Sequence, residues 1–379
     1  MQIEFKDVHK SYKKTEVLKG IDFGVEKGQL VCLIGPSGCG KTTTLKMING
    51  LAKPTSGDVL IDGKSVLHMD LIKLRRKMGY VIQQTGLFPH MTIKENIEII
   101  PKLMGEDKNK LIEKSVYLMN MVGLDPDEYL WRYPVQLSGG QLQRIGVARA
   151  FAVDPEIILM DEPFSALDPI TREQLQDEVV AIQNKFHKTI VFVTHDMDEA
   201  IKIADKICIM NGGKVVQYDT PENILKNPAD EFVEGFVGEK RIWSNPVYIK
   251  AKDIMLKDPV KVRENSTVIR AMNLMRGKRV DSVFIVDDDN KLKGMVLAKK
   301  IQNAEDKSES ITNYMQAPKL TVFDEENIID LLNKSRDRKV NRIPVVDQRN
   351  HLVGLITKSS MVTTLSSQFI DIEDGDDDE

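Results

Sequence analysis

Residues 30–42 run Leu-Val-Cys-Leu-Ile-Gly-Pro-Ser-Gly-Cys-Gly-Lys-Thr. Apolar residues of the kind that form a strand buried on both faces lead straight into glycines, a lysine and a threonine. The pattern predicts a strand, a tight loop and then a helix over about 41–49. That order, with the spacing Gly35-x-x-x-x-Gly40-Lys41-Thr42, fits a phosphate-binding loop. The residue types follow from the ligand. Glycines let backbone N–H groups approach phosphate oxygens with no side chain in the way, and a helix N-terminus adds positive partial charge. Lys41 is placed to reach the β- and γ-phosphates, and the Thr42 hydroxyl to ligate Mg2+.

Two more apolar runs, 157–160 and 189–194, predict buried strands. Strands alternating with helices argue for an α/β domain with a largely parallel sheet. The first run ends in Asp161-Glu162, which places Asp161 in the Mg2+ shell and Glu162 as the general base that polarises the attacking water. Leu137-Ser138-Gly139-Gly140-Gln141 opens a helical run, where free N–H groups and a hydroxyl make a second anion site. Residues 90–150 read as mainly helical. Residues 1–30 read as short strands with turns, punctuated by Gly20 and Gly28.

The formal net charge of −4, with Lys and Arg dispersed along the chain, excludes a general nucleic-acid binder. The cysteines, Cys32, Cys39 and Cys208, have no metal-type spacing, and their odd number points to a reducing compartment. The opening MQIEFKDVHK is charged and alternating, which predicts no signal peptide. No run of 18 apolar residues occurs, so a membrane role requires another chain to supply the membrane part.

Over residues 1–235 the chain resembles the ATPases of ATP-binding cassette (ABC) transporters. Gly35, Pro36, Ser37, Gly38, Cys39, Gly40, Lys41, Thr42 and Thr43 occupy the family's Walker A segment, with Cys39 as a tolerated small residue. Residues 157–162 match Walker B, and Leu137 to Gln141 match the signature. The resemblance implies that Gln83 is the Q-loop glutamine, a catalytic residue and Mg2+ ligand, on its six-residue spacing to Pro89. It implies that Asp168 lies in the D-loop, that His195 senses the γ-phosphate and that Tyr12 stacks on adenine. It also implies a homodimer in which ATP lies between Lys41 of one copy and Ser138 of the other.

After residue 235 the character changes. A linker is expected over 236–249, followed by an internal repeat with an offset of 60 residues. Asp253-Ile-Met255 matches Asn313-Tyr-Met315, and 278–296 matches 338–356, with Val280 aligned to Val340, Asn290 to Asn350 and Gly294 to Gly354. One copy has too small a core to stand alone, so the two are expected to pack as a pseudo-symmetric pair. The repeats, about 250–305 and 310–366, resemble a tandem cystathionine β-synthase (CBS) module. That family's ribose-binding aspartate is replaced by Ser360 in the second copy and by Lys300 in the first. The acidic tail, 367–379, is expected to be disordered.

The expected fold is thus an α/β P-loop NTPase domain of ABC type, with a mostly parallel sheet and a helical subdomain, followed by an α+β tandem CBS module. The fusion resembles the ATPase subunits of bacterial osmoprotectant importers for glycine betaine, carnitine, choline or proline. That resemblance implies an integral membrane permease, an extracellular solute-binding protein or domain, and a peripheral location on the cytoplasmic face of the membrane. CBS modules in that group are associated with sensing ionic strength or binding cyclic di-adenosine monophosphate; in a symmetric cleft formed by the CBS pairs of two copies, Val280 and Val340 would contact its adenines while Arg342 reaches a phosphate. A module that only holds the dimer together, with the tail responding to salt, is the other reading. The competing functions are an importer ATPase for another small solute and a soluble ABC ATPase. Only about 90 residues separate Lys41 from Leu137, which leaves no room for the coiled coil that many soluble members carry.

Overall fold

The computed structural model describes residues 1–82, 86–238, 249–302, 304–338 and 340–361, without the side chains of residues 337 and 338. Gln83, most of the 236–249 linker and the acidic tail lie outside the described residues. The chain divides into two compact units, Met1–Gly238 and Glu239–Glu379.

The strands of the first unit are β1 (Ile3–Tyr12), β2 (Thr15–Val25), β3 (Leu30–Ile34), β4 (Ser56–Ile61), β5 (Lys64–Ser65), β6 (Met78–Val81), β7 (Ile157–Asp161), β8 (Thr189–Val193), β9 (Lys206–Asn211) and β10 (Lys214–Asp219). The central sheet has the order β10-β9-β3-β8-β7-β6, and all its neighbours run parallel except β10 against β9. Every residue of β3, β7 and β8 is buried, which is why each reads as a continuous apolar run rather than an alternating one. The helical stretch after residue 90 comprises Ile93–Leu103, Lys108–Met121 and Gly139–Phe151, with shorter turns between them.

The N-terminal segment differs from the expected short strands. β1 and β2 are 10 and 11 residues long and pair from Ile3↔Val25 to Tyr12↔Thr15. Register shifts at Phe5/Val8, Val8/His9 and Lys10/Ser11 interrupt the alternation of side chains, so the period of two is hidden in the sequence. With β4 and β5 they form an antiparallel sheet in the order β2-β1-β4-β5. Its inner face carries Ile3, Phe5 and Ile21, which share one core with Leu45 and Ile48 of the helix Lys41–Ile48 and with Leu159 and Val191 of the central sheet. That core fixes the glycine-rich loop between two sheets.

The second unit contains β11 (Leu256–Lys257), β12 (Lys261–Arg263), β13 (Ser282–Val286), β14 (Leu292–Leu297), β15 (Val322–Phe323), β16 (Arg342–Val346) and β17 (Leu352–Thr357). Helices Val268–Lys278 and Ile328–Arg338 keep the 60-residue offset, as do β13 with β16 and β14 with β17. The sheets are β12-β13-β14 and β11-β17-β16-β15, so the first copy lends β11 to the second copy's sheet. The copies also bond reciprocally. Leu292 N donates to Asn350 O and Leu352 N to Asn290 O, both at 3.0 Å. Asn290 Nδ2 donates to Leu352 O at 3.1 Å and Asn350 Nδ2 to Leu292 O at 3.2 Å. Phe284, Val286, Leu292 and Met295 pack with Val346 and Leu352 in one shared cluster. These exchanges explain why the asparagines recur at a fixed offset.

Candidate nucleotide-binding and catalytic site

β3 ends in the glycine-rich loop. At Gly35, φ is +151° and an added Cβ would lie 2.0 Å from Met210 O, so the loop can leave the sheet here only with glycine. At Gly38, φ is +79° and an added Cβ would meet nothing within 4 Å, so the outer rim of the loop stays open. Lys41 begins the helix Lys41–Ile48, whose N-cap, Gly40, has no side-chain cap bond and leaves the N–H groups of the first turn without one. Lys41 Nζ donates to Gly35 O at 2.7 Å and Pro36 O at 2.9 Å, which holds the ammonium at the mouth of the loop.

The ends of β7 and β8 bring the acidic and imidazole groups to the same place. Thr42 Oγ1 donates to Asp161 Oδ1 at 3.0 Å. Burial pushes the Asp161 carboxyl above its ordinary range, and the Thr42 bond works in the opposite direction. A buried carboxylate beside a hydroxyl is a hard-oxygen pair that fits Mg2+, an ion usually held by one or two protein oxygens plus phosphates. Glu162, 22% exposed, follows Asp161, and its Oε2 lies 3.7 Å from Nδ1 of the largely exposed His195. Val17, Ser37, Gly38, Gly40, Lys41, Thr42, Thr43, Glu162 and His195 line one cleft of about 560 Å³. A carboxylate, a glycine-rich loop with its lysine and an imidazole thus converge on one volume.

Other expected site residues lie elsewhere. Cys39 is buried in the core shared by the two sheets, its Sγ 3.9 Å from Lys41 Nζ, while Pro36 is exposed. Tyr12 does not line the cleft; it ends β1, half exposed, with Lys10 Nζ 4.6 Å from its ring centroid. Val17 was missed by sequence reasoning, because an apolar residue in a strand carries no chemical signal. Ser138, Gly139, Gly140 and Gln141 form the first turn of the helix Gly139–Phe151, outside the cleft. Ser138 Oγ accepts from Gln141 N at 3.3 Å, and Gln141 Oε1 accepts from Ser138 N at 2.9 Å. Asp168 caps the helix Pro169–Phe186, accepting from Thr171 N at 3.1 Å; the Thr171 side chain first, and then this backbone bond, lower its carboxyl below the ordinary range. Past Gln83, Gly86 O accepts from Arg149 Nη1 at 2.7 Å, which ties that segment to the Gly139–Phe151 helix.

In the second unit, Val280 and Arg342 line a cleft of about 610 Å³ together with Val260, Ser282, Leu355 and Thr357. Val340 does not join them. It is 6% exposed and packs in the second copy's own core with Ile343 and Ile356, away from this cleft. Arg342 Nε donates to Asp281 Oδ1 at 3.0 Å, and its Nη2 pairs with Asp281 Oδ2. Ser360, at the position of the family's ribose aspartate, is taken up by its own turn: Oγ accepts from Thr357 N and donates to Thr357 O.

The ABC transporter family model matches residues 18–165, and the CBS domain model matches 251–306 and 311–367. The chain is 48% identical over 362 residues to the glycine betaine/carnitine/choline transport ATP-binding protein OpuCA of Bacillus subtilis, covering 95% of each. It is 46% identical to the carnitine transport ATP-binding protein OpuCA of Listeria monocytogenes, over 95% of this chain and 91% of the relative. To the osmoprotectant import ATP-binding protein OsmV of Salmonella typhimurium it is 41% identical, over 94% and 93%. The dimeric structure of MJ0796, a bacterial ABC transporter cassette, superposes with a TM-score of 0.55 at 35% identity, covering 58% of this chain and 98% of that one. Among the described residues no helix is long and apolar enough to cross a membrane. With a phosphate-loop cleft that gathers Lys41, Thr42, Glu162 and His195, and with relatives matched along nearly the whole length, the chain belongs to the ABC transporter family as an ATPase carrying tandem CBS domains.

Proposed function

We propose that this ATPase drives uptake of a quaternary-ammonium osmoprotectant through a separate membrane permease, fed by an extracellular solute-binding protein or domain. The observation that carries the substrate class is the similarity of cassette and CBS module together to relatives named for glycine betaine, carnitine and choline transport. The protein then sits on the cytoplasmic face of a bacterial membrane.

In this reading two copies sandwich ATP, Lys41 of one copy and Ser138 of the other facing the same nucleotide. Lys41 and the loop N–H groups bind the β- and γ-phosphates, and Glu162 orients water and takes its proton. His195, 3.7 Å from Glu162, reports the γ-phosphate to the base. Thr42, Asp161 and Gln83 would hold Mg2+, which supplies charge neutralisation on the phosphates when bound. The segment around Phe88 docks on the permease. Its ring is 42% exposed, while the buried Asn96 pins the loop by accepting from Phe88 N at 2.7 Å and donating to Phe88 O at 3.1 Å.

For the CBS module the reading is regulation by a symmetric dinucleotide such as cyclic di-adenosine monophosphate in the cleft lined by Val280 and Arg342. A phosphate in this cleft would compete with Asp281 for the Arg342 guanidinium. The test is uptake into proteoliposomes holding the whole transporter. Saturable, ATP-driven uptake of at least one of glycine betaine, carnitine or choline, changed by the dinucleotide and insensitive to it in Arg342→Ala, is expected. No uptake of any of them contradicts the substrate class. Uptake and calorimetric titration of the full chain that both ignore the dinucleotide contradict the regulatory reading alone.

A further inference from the structure

The helix Gly139–Phe151 carries one buried polar side chain whose bonds all go to the loop holding the base. Gln143 is 5% exposed. Its Nε2 donates to Glu162 O at 2.9 Å and to Ser165 Oγ at 3.3 Å, and its Oε1 accepts from Ala166 N at 3.0 Å. One amide therefore grips the loop after β7 at three residues.

The grip falls where the backbone is least comfortable. Glu162 has φ +50°, the left-handed region that non-glycine residues avoid. Such a conformation persists only where the surroundings over-determine it. Glu162 N donates to Val193 O at 3.0 Å, which fixes one side of the residue. Its carbonyl accepts from Ser165 Oγ at 3.1 Å, a hydroxyl of the same loop, and from Gln143, a donor on another element. The helix is also close-packed on that loop: an added Cβ at Gly140 would stand 3.4 Å from Ala166 O and 3.3 Å from Leu167 Cδ2. Gln143 is thus in the same helix that Ser138 caps, one turn beyond it.

We propose that Gln143 is a positioning residue for Glu162, linking the signature helix to the catalytic carboxylate of the same subunit. When Ser138 engages nucleotide held by a partner subunit, any shift of the helix reaches the Glu162 backbone through this amide, and the orientation of the base follows. The inference rests on the proposed role of Glu162 as base.

The test uses the whole transporter with Gln143→Glu, which keeps the shape and an oxygen for Ala166 N but removes the donor to Glu162 O. Gln143→Met is the second variant; it keeps the volume without burying a charge. A base displaced by a fraction of an ångström to an ångström loses about 10- to 100-fold in rate. The expected result is that fall in kcat, with KM for ATP and nucleotide affinity within about twofold of wild type, since the phosphate cradle is untouched. In a Glu162→Gln background, adding Gln143→Met should leave the ATP-dependent closed dimer intact. Wild-type kcat in a folded variant overturns the proposal, and so does a rise in KM as large as the fall in kcat. Glu162→Gln alone separates the two claims: if it retains turnover, the role of Glu162 fails. If it is inactive while both Gln143 variants turn over normally, only the link through Gln143 fails.

Discussion

The two CBS copies exchange methionines, and this makes a sharp stability prediction. Met255, just before β11 of the first copy, covers Gly354 in β17 of the second; Met315 of the second covers Gly294 in β14 of the first. A Cβ at Gly354 would lie 2.2 Å from Met255 Sδ, 2.7 Å from its Cγ and 2.9 Å from its Cβ. Since the clash reaches the root of the side chain, rotating its tip gives no relief. Gly354→Ala should therefore cost about 1–3 kcal/mol through overpacking. Met255→Ala removes a half-buried side chain and should cost about 1–2.5 kcal/mol, half of the range for a buried methionine. In the double mutant the new methyl enters the space left by Met255, so the loss should fall short of the sum by about 1–3 kcal/mol. Calorimetric unfolding of the full chain reads this, at roughly 4 °C in the second unit's transition per kcal/mol. An unchanged transition in Gly354→Ala, or strict additivity in the double mutant, would refute the interlock.

Three further outcomes follow from the geometry. Lys41→Ala should weaken nucleotide binding at least about tenfold, or about 1.4 kcal/mol, as read by fluorescent-nucleotide titration; unchanged affinity contradicts the cradle. Phe88→Asp should lower transport and permease copurification more than ATP binding, whereas equal loss of all three indicates misfolding instead. Hydrogen bonds from Lys250 and Lys252 hold the Glu325 carboxyl down at about 2 from its ordinary 4.5. Because the folded value is the lower one, the stabilisation is present above pH 4.5 and is lost as pH falls towards 2. With Glu325 48% exposed, solvent screening limits it to a few tenths of a kcal/mol. Glu325→Gln should flatten that acid limb of the melting curve, and an identical limb removes the ion pair from the account.

Much of the candidate cleft could be read from the chain because its polar residues sit at strand ends and in the loop after β3. Apolar runs mark β3, β7 and β8, and the residue after each run is a loop glycine, a carboxylate or the approach to His195. Side chains that act through tertiary packing were harder to see. Gln143 looks like a solvated helix residue until it is set beside Val147 and Ala150, four and seven positions on, which are buried on the same face. That periodicity was the available signal. Val280 and Val340 align in the repeat, yet Val280 is half-buried at the cleft while Val340 completes its own copy's core, a difference the alignment does not show. The long β1–β2 hairpin was obscured by its register shifts.

Glu162 is the residue on which the proposed chemistry turns most directly. In a reconstituted transporter, Glu162→Gln keeps the loop, Lys41 and the Asp161–Thr42 pair, and removes only the carboxylate proposed to accept the proton of water. ATP affinity should stay at the wild-type level, ATP should trap a closed dimer, and steady-state hydrolysis should fall at least about 100-fold. Hydrolysis within a few-fold of wild type would contradict the assignment of the base and, with it, the proposed division of labour in the cleft.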